Sequence, residues 1–193
     1  MSSPAAPWRS PRKSASTPTA ISSWKRWMPP DGTIGFRPLR ECDLELMARW
    51  LAAPHVAAWW ERAERQVEQM RSHLDDPTVS PFVVLLDEEP IGYIQLCDLD
   101  GEREKEPALA DQPAGTFGID QFIGPAGMIG KGLGTRLVSA MAERALKKDA
   151  KRVLVDPHPD NAAAIRAYEK AGFVRLGTFS MTSGPALLMA RDP

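Results

Sequence analysis

The chain predicts one mixed α/β domain, and three observations carry that reading. Short apolar runs of strand character are interleaved with stretches whose apolar residues return every three to four positions. The two kinds of segment alternate irregularly and nothing repeats, which fits a mixed sheet with helices packed on it. A length of 193 residues at 43% hydrophobic composition is enough to bury one substantial core.

Residues 1–32 read as a disordered or loosely docked leader, since Pro4, Pro7, Pro11, Pro18, Pro29 and Pro30 interrupt any regular element. Trp8, Trp24 and Trp27 are unusual for pure disorder, and one of them could dock on the body. The domain is expected over 33–193. Thr33–Leu39 alternates and is predicted as the first strand. Leu44, Met47, Ala48 and Leu51 share a helical stripe that Pro54 ends, and Trp59–Leu74 reads as a second, charged helix.

Phe82–Leu86 and Ile91–Leu96 are predicted strands joined by the turn Asp87-Glu88-Glu89-Pro90. Residues 98–116 are polar and acidic, too long for a plain turn. Phe117–Ile123 is a strand and Gly124–Met128 a connector. Gly130–Lys148 is a helix with Leu133, Leu137, Met141 and Ala145 on one stripe. Arg152–Val155 is a short buried strand and Asn161–Ala171 a helix stopped by Gly172. Phe173–Gly177 and Ala186–Met189 complete the sheet.

Charge is unevenly spread. The 24 basic and 25 acidic residues nearly cancel, but five basic residues and no acidic one fall in the first thirty. The remainder is net acidic, which argues against a nucleic-acid partner and favours a cationic one. Cys42 and Cys97 form no CxxC pair and fit a reducing, cytoplasmic setting. No apolar run reaches the ~18–20 residues of a membrane span, so no membrane partner is expected. His55, His73 and His158 lack ligand spacing, so no metal is expected either.

Two segments carry chemistry. Ile129-Gly130-Lys131-Gly132-Leu133-Gly134-Thr135 opens the longest helix. Glycines at a helix start let backbone N–H groups turn toward an anion that the helix dipole also favours, and Thr135 can add a hydroxyl. Some twenty-five residues on, Asp156-Pro157-His158-Pro159-Asp160-Asn161 leads into AAAIRAYEKAGF. Asn161 is a natural helix N-cap, and Tyr168 follows Ile165 by three on its helix, a spacing that also suits plain core packing. A grip for phosphates beside a placed tyrosine suggests a nucleotide-type cofactor.

These segments and their order resemble the GCN5-related N-acetyltransferase superfamily, whose diphosphate loop reads Gln/Arg-x-x-Gly-x-Gly/Ala. Here Ile129 stands first, so the grip would fall to backbone amides and Lys131. Within that superfamily the chain is most similar to aminoglycoside 6′-N-acetyltransferases. The matching pieces are His55–Trp60, Pro90–Gln95, Gly118-Ile119-Asp120-Gln121, Lys131–Thr135, Asp156–Phe173 and Ser183–Ala186. The family often has an acidic residue where Ser183 stands. The similarity spans about residues 35–190.

The resemblance implies one mixed, mostly antiparallel sheet with helices on both faces, and acetyl-CoA as acyl donor. It implies direct transfer to a primary amine, the 6′-amine of an aminoglycoside, by a monomer or homodimer. Cofactor contacts would come from Phe122 and Ile123 on their strand, from Gly130, Lys131, Gly132, Leu133, Gly134 and Thr135, and from Asn161 and Tyr168. Tyr168 would protonate the departing thiolate.

Asp120 would take the amine's proton; from the residues alone it is a carboxylate in an otherwise apolar strand, either a base or a strand-end partner for an arginine or a backbone amide. Asp156 ends a strand, where ligands and ordinary turn aspartates both occur. Trp59 and Trp60 could wall a sugar, or one could be core. Asp98 and Asp100, with Glu102, Glu104 and Glu106, form an acidic run that could steer a polycation or simply be solvated. A hydroxylysine-type siderophore precursor, a protein N-terminus, or acyl-CoA sensing without catalysis are the alternatives.

Overall fold

A computed structural model describes residues 32–193 except 61, 104, 182 and 183. The leader with its three tryptophans lies outside the described residues, as do Glu104 and Ser183. Seven strands form one sheet in the order β1-β2-β3-β4-β5-β7-β6. They are β1 (Ile34–Pro38), β2 (Val79–Leu86), β3 (Glu89–Asp98), β4 (Thr116–Ile123), β5 (Arg152–Val155), β6 (Val174–Met181) and β7 (Gly184–Arg191). Only β4 and β5 run parallel. Every other neighbouring pair is antiparallel.

Side-chain alternation along the strands separates two helical layers. Val84, Leu86, Ile94, Ile119, Val153 and Met189 face α4 (Leu133–Leu146) and α5 (Ala162–Lys170) in the larger core. Val83, Tyr93 and Phe122 point the other way, onto α1 (Leu44–Leu51), α2 (Pro54–Ala57) and α3 (Ala63–Ser72). One-residue alternation therefore sends Val83 and Val84 to opposite cores. Helices lie on both faces, as the family resemblance implied.

Local chemistry explains the boundaries. The β2–β3 turn is only Asp87-Glu88, both at positive φ (48° and 72°), the two-residue form whose twist suits a hairpin. Glu89 and Pro90 already belong to β3. The charged helix expected over 59–74 begins at Ala63, because the chain first makes the short α2 with Pro54 at its N-terminus. Helix α4 starts at Leu133, two residues after Lys131, because Gly132 sits at φ +76°. Gly172 stops α5 at φ +88°, as its position suggested.

Part of the long 99–115 connection is ordered against the sheet. It contains a 3₁₀ turn at Pro107–Leu109, and Leu99 and Leu109 pack with Leu154 and Leu188. Among the described residues no helix is long and apolar enough to cross a membrane.

Candidate active site

The site is created where two strands part. Strand β4 pairs with β5 only through Thr116, Phe117 and Gly118, yet it continues to Ile123. From Ile119 onward, the edge of β4 facing β5 is without a strand partner. A cleft of about 820 Å³ opens there, walled by the 129–135 loop, α5 and the Trp59–Trp60 segment. An extended chain of amide groups could add to that free edge as a strand would.

The glycine loop is shaped for an anion. Gly130 and Gly132 hold φ of +77° and +76°, and a Cβ on either would meet nothing within 4 Å. The requirement is thus backbone conformation rather than space. No side chain caps the N-terminus of the 14-residue α4, which leaves its first N–H groups to the cleft. Gly130, Gly132, Gly134 and Thr135 line the cleft. Lys131 is exposed beside it, and the Leu133 side chain is buried in the core, so only the Leu133 backbone could serve an anion. These features fit a donor made of an extended amide arm and a diphosphate.

Opposite this wall, Asn161 Oδ1 accepts a hydrogen bond from Ala164 N at 3.1 Å, and Asn161 also lines the cleft. The N-cap and the ligand-facing position coincide. Tyr168 is buried to 7% exposure and packs 6.0 Å from Phe173, yet it reaches the cleft. Burial drives its phenol well above the ordinary range, so it is held as a proton donor.

Asp120 stands across from Gln95 in the β3–β4 register, on the face turned to α3. Gln95 Nε2 donates to Asp120 Oδ2 at 2.7 Å. Burial raises the Asp120 carboxyl, while the Gln95 hydrogen bond and the His73 imidazole pull it back down. Asp156, just past the end of β5, is pushed up to about 7, first by burial and then by the charges of Asp120 and Glu106. Two carboxyl groups of raised pKa beside a buried phenol form a site that can accept a proton from a cation and return one to a leaving group. Both carboxylates also border a smaller cavity of about 110 Å³ against Cys97 and Met181.

The remaining expected residues are divided. Trp59 and Trp60 both line the cleft: Trp59 is 45% exposed, whereas Trp60 packs edge-on against Phe122 at 5.2 Å. The Phe122 ring is itself stacked on Tyr93, which turns it to the α1–α3 core and leaves its backbone at the fork. Ile123 O accepts from His55 Nε2 at 3.0 Å. Asp98 and Asp100 are not among the residues lining the cleft; they shape the 99–115 loop. Asp98 Oδ1 accepts from Asp100 N, and Asp100 accepts from Gly115 N.

Sequence reasoning passed over Gln95, His73 and His55 as site residues and took Glu106 only as part of the acidic run. Gln95 carried a usable signal. A glutamine inside the apolar run Ile91–Leu96 needs a partner, whereas the burial of Glu106 appears only in the structure. Among the described residues no group of three His, Cys, Asp or Glu could hold a metal ion.

Comparison with known proteins agrees with this architecture. Residues 40–181 match the family model of the acetyltransferase (GNAT) domain. The chain is 37% identical over 173 residues to aminoglycoside N(6′)-acetyltransferase type 1 of Klebsiella pneumoniae, covering 82% of this chain and 83% of that one. It is 46% identical over 78 residues to a kanamycin resistance protein of Rhizobium radiobacter, covering 40% of this chain and 72% of that one. Among solved structures, aminoglycoside acetyltransferase AAC(6′)-Ib in complex with coenzyme A and kanamycin superposes with a TM-score of 0.71 at 36% identity. That match covers 83% of this chain and 95% of that one. A family match over residues 40–181, on a sheet that forks where a thioester arm would lie, makes this chain a member of the acetyltransferase (GNAT) family and an acyltransferase.

Proposed function

We propose that the protein transfers the acetyl group of acetyl-CoA to the 6′-amine of an aminoglycoside, and that this inactivation of a drug is its role in the cytoplasm. The observation that carries the reading is the convergence of Asp120, Asp156 and Tyr168 at the β4–β5 fork. An alkyl ammonium titrates near ~10.4 and must lose a proton before it can attack a carbonyl. A polycation also needs buried negative charge to hold it. Asp120 and Asp156 meet both needs.

In this reading the pantetheine arm lies along the free edge of β4, with the diphosphate at the start of α4. Asp120 takes the ammonium proton, and the amine nitrogen forms a bond to the thioester carbonyl carbon. Backbone N–H groups at the free edge stabilise the oxyanion. Collapse breaks the C–S bond, and the Tyr168 hydroxyl gives its proton to the departing thiolate. The second proton of the attacking nitrogen passes through water to the Tyr168 phenolate, leaving a neutral amide. Asp156 holds a second ammonium group of the acceptor, and Trp59 covers a sugar ring. Asp98 and Asp100 act at a distance, as part of the acidic rim. The protein would work as a monomer or homodimer.

The test is thiol release from acetyl-CoA with kanamycin, tobramycin, gentamicin, hydroxylysine, an N-terminal peptide and no acceptor. Fast turnover with kanamycin supports the reading. Turnover with hydroxylysine alone would keep the chemistry and move the protein to siderophore assembly. Acetyl-CoA binding without turnover on any acceptor would count against catalysis.

A further inference from the structure

Behind Asp120, on the side away from the cofactor wall, lies a chain of hydrogen bonds that its role as a base does not by itself require. Gln95 is 7% exposed, and its carboxamide is contacted on both ends. Nε2 donates to Asp120 Oδ2 at 2.7 Å. Oε1 lies 2.6 Å from Tyr93 Oη and 3.1 Å from His73 Nδ1. A carboxylate only accepts, so the amide nitrogen must face Asp120 and the amide oxygen must face the other two groups. Both must then donate to it. Tyr93 is fully buried, and burial holds its phenol protonated. His73 must therefore carry its hydrogen on Nδ1.

We propose that His73 is a positioning residue for Asp120: its Nδ1–H, with the Tyr93 hydroxyl, fixes the Gln95 carboxamide so that Nε2 holds Oδ2 and leaves Oδ1 to the acceptor amine. The inference rests on the proposed role of Asp120 as base. Its physical content is the donor that a half-buried carboxylate needs to remain ionised. With Tyr93 alone a single donor would hold the Gln95 oxygen. His73 adds a second, so that both lone pairs of Oε1 are engaged and the carboxamide is held on two sides.

The geometry follows from pairing. Tyr93, Gln95 and Cys97 share one face of β3, Phe122 and Asp120 the matching face of β4, and His73 comes down at the end of α3. Other titratable groups also bear on Asp120. They are Cys97 beside it on β3, Asp156 at the end of β5, Tyr168 on α5 and, through Asp156, Glu106 of the 99–115 loop. None of these donates to the Gln95 oxygen.

The decisive measurement needs no acceptor. In protein carrying ¹³C at aspartate carboxyl carbons, with Asp120→Asn used to assign the resonance, the Asp120 titration is followed in four variants. In His73→Phe it should move about one unit to higher pH, the size expected for loss of one hydrogen bond to a carboxylate. Gln95→Met should move it at least as far. The double variant should move it by less than the sum of the two, because both break the same chain while His73 also acts on Asp120 electrostatically. His73→Asn, whose Nδ2–H can reach the same oxygen, should restore the wild-type titration.

With kanamycin, the acidic limb of the kcat/KM profile in His73→Phe should move to higher pH by the same interval as the titration. The variant is then slower on that limb, and the gap closes as pH rises and Asp120 ionises in both proteins. Acetyl-CoA affinity should stay unchanged. An unmoved titration in His73→Phe, or additive shifts in the double variant, would overturn the proposal. If the wild-type protein fails to acetylate kanamycin, the acceptor reading falls and the titration still decides the part played by His73.

Discussion

The rings of Trp59 and His158 meet across the mouth of the cleft, 5.9 Å apart between centroids and inclined at 39°. One belongs to the segment after α2 and the other to the turn between β5 and α5, so the contact ties together two elements that share no strand pairing. Trp59 is too exposed to be a core residue. Trp59→Ala should leave the melting temperature nearly unchanged and raise the KM for an aminoglycoside about fivefold. That corresponds to ~1 kcal/mol of lost aromatic contact with a cation. Steady-state kinetics beside a thermal melt separates the two effects.

Asp120→Ala removes the proposed base while leaving the glycine loop and the start of α4 intact. Turnover should fall by about 10²–10⁴, the range typical for general acid–base groups. Acetyl-CoA affinity, measured by calorimetry, should hold. A variant with wild-type rates across the pH range would remove Asp120 from the chemistry.

Tyr168→Phe keeps the ring packed on Phe173 and deletes only the hydroxyl. Folding stability should therefore change little, while the single-turnover rate drops about tenfold or more. Equal rates would make Tyr168 a packing residue, the reading its helical spacing also allowed.

Asp156 makes a signed prediction. Its folded-state pKa, pushed up to about 7, lies above the ordinary carboxylate range, so its charge costs stability as pH rises from that range to 7. Asp156→Asn should be more stable than wild type, by a margin that grows from about pH 4 to pH 7 and then levels. Acceptor binding should show the opposite trend. Affinity for a cationic acceptor should rise in the wild type through pH about 7 and rise less in Asp156→Asn, where Asp120 alone still titrates in the site. Melting curves and acceptor titrations across pH give both signs.

Gly132→Ala isolates the backbone requirement. Nothing lies within 4 Å of the added Cβ, so any cost comes from the left-handed φ of +76°. We expect a loss of ~1–2 kcal/mol in stability. A matching or larger loss should appear in acetyl-CoA affinity as the loop relaxes. Unchanged affinity would show that the diphosphate grip does not depend on this turn.

Much of the fold could be read directly because local chemistry dictated it. The Gly130–Gly134 turn, the apolar stripe of α4, the run Val153-Leu154-Val155 and the stop at Gly172 each follow from neighbours within a few residues. So do the candidate groups Asp120 and Asp156, since an acid in or beside an apolar strand stands out, and the N-cap Asn161. Tyr168 was singled out by the family resemblance, its own spacing suiting core packing equally. The short α2 was missed because four residues carry no period of their own. The true starts of β2 and β7 and the true end of β6 were missed for a related reason. Val79 and Gly184 are strand residues only because a partner strand reaches them.

Which groups meet was decided by the tertiary structure alone. Gln95 and Asp120 are twenty-five residues apart, and only the β3–β4 register sets them opposite each other. His73 joins them because α3 ends above that register, and the cleft exists because β4 outruns its pairing with β5. The same tertiary pairing kept Asp98 and Asp100 in their own loop, bonded to nearby backbone amides and away from the cleft. The sequence by itself determined the turns, the helical stripes and the candidate chemical groups, because propensity and periodicity act over a few residues. Strand register and the meeting of distant side chains belong to the fold, because they are fixed by how two cores pack on opposite faces of one sheet.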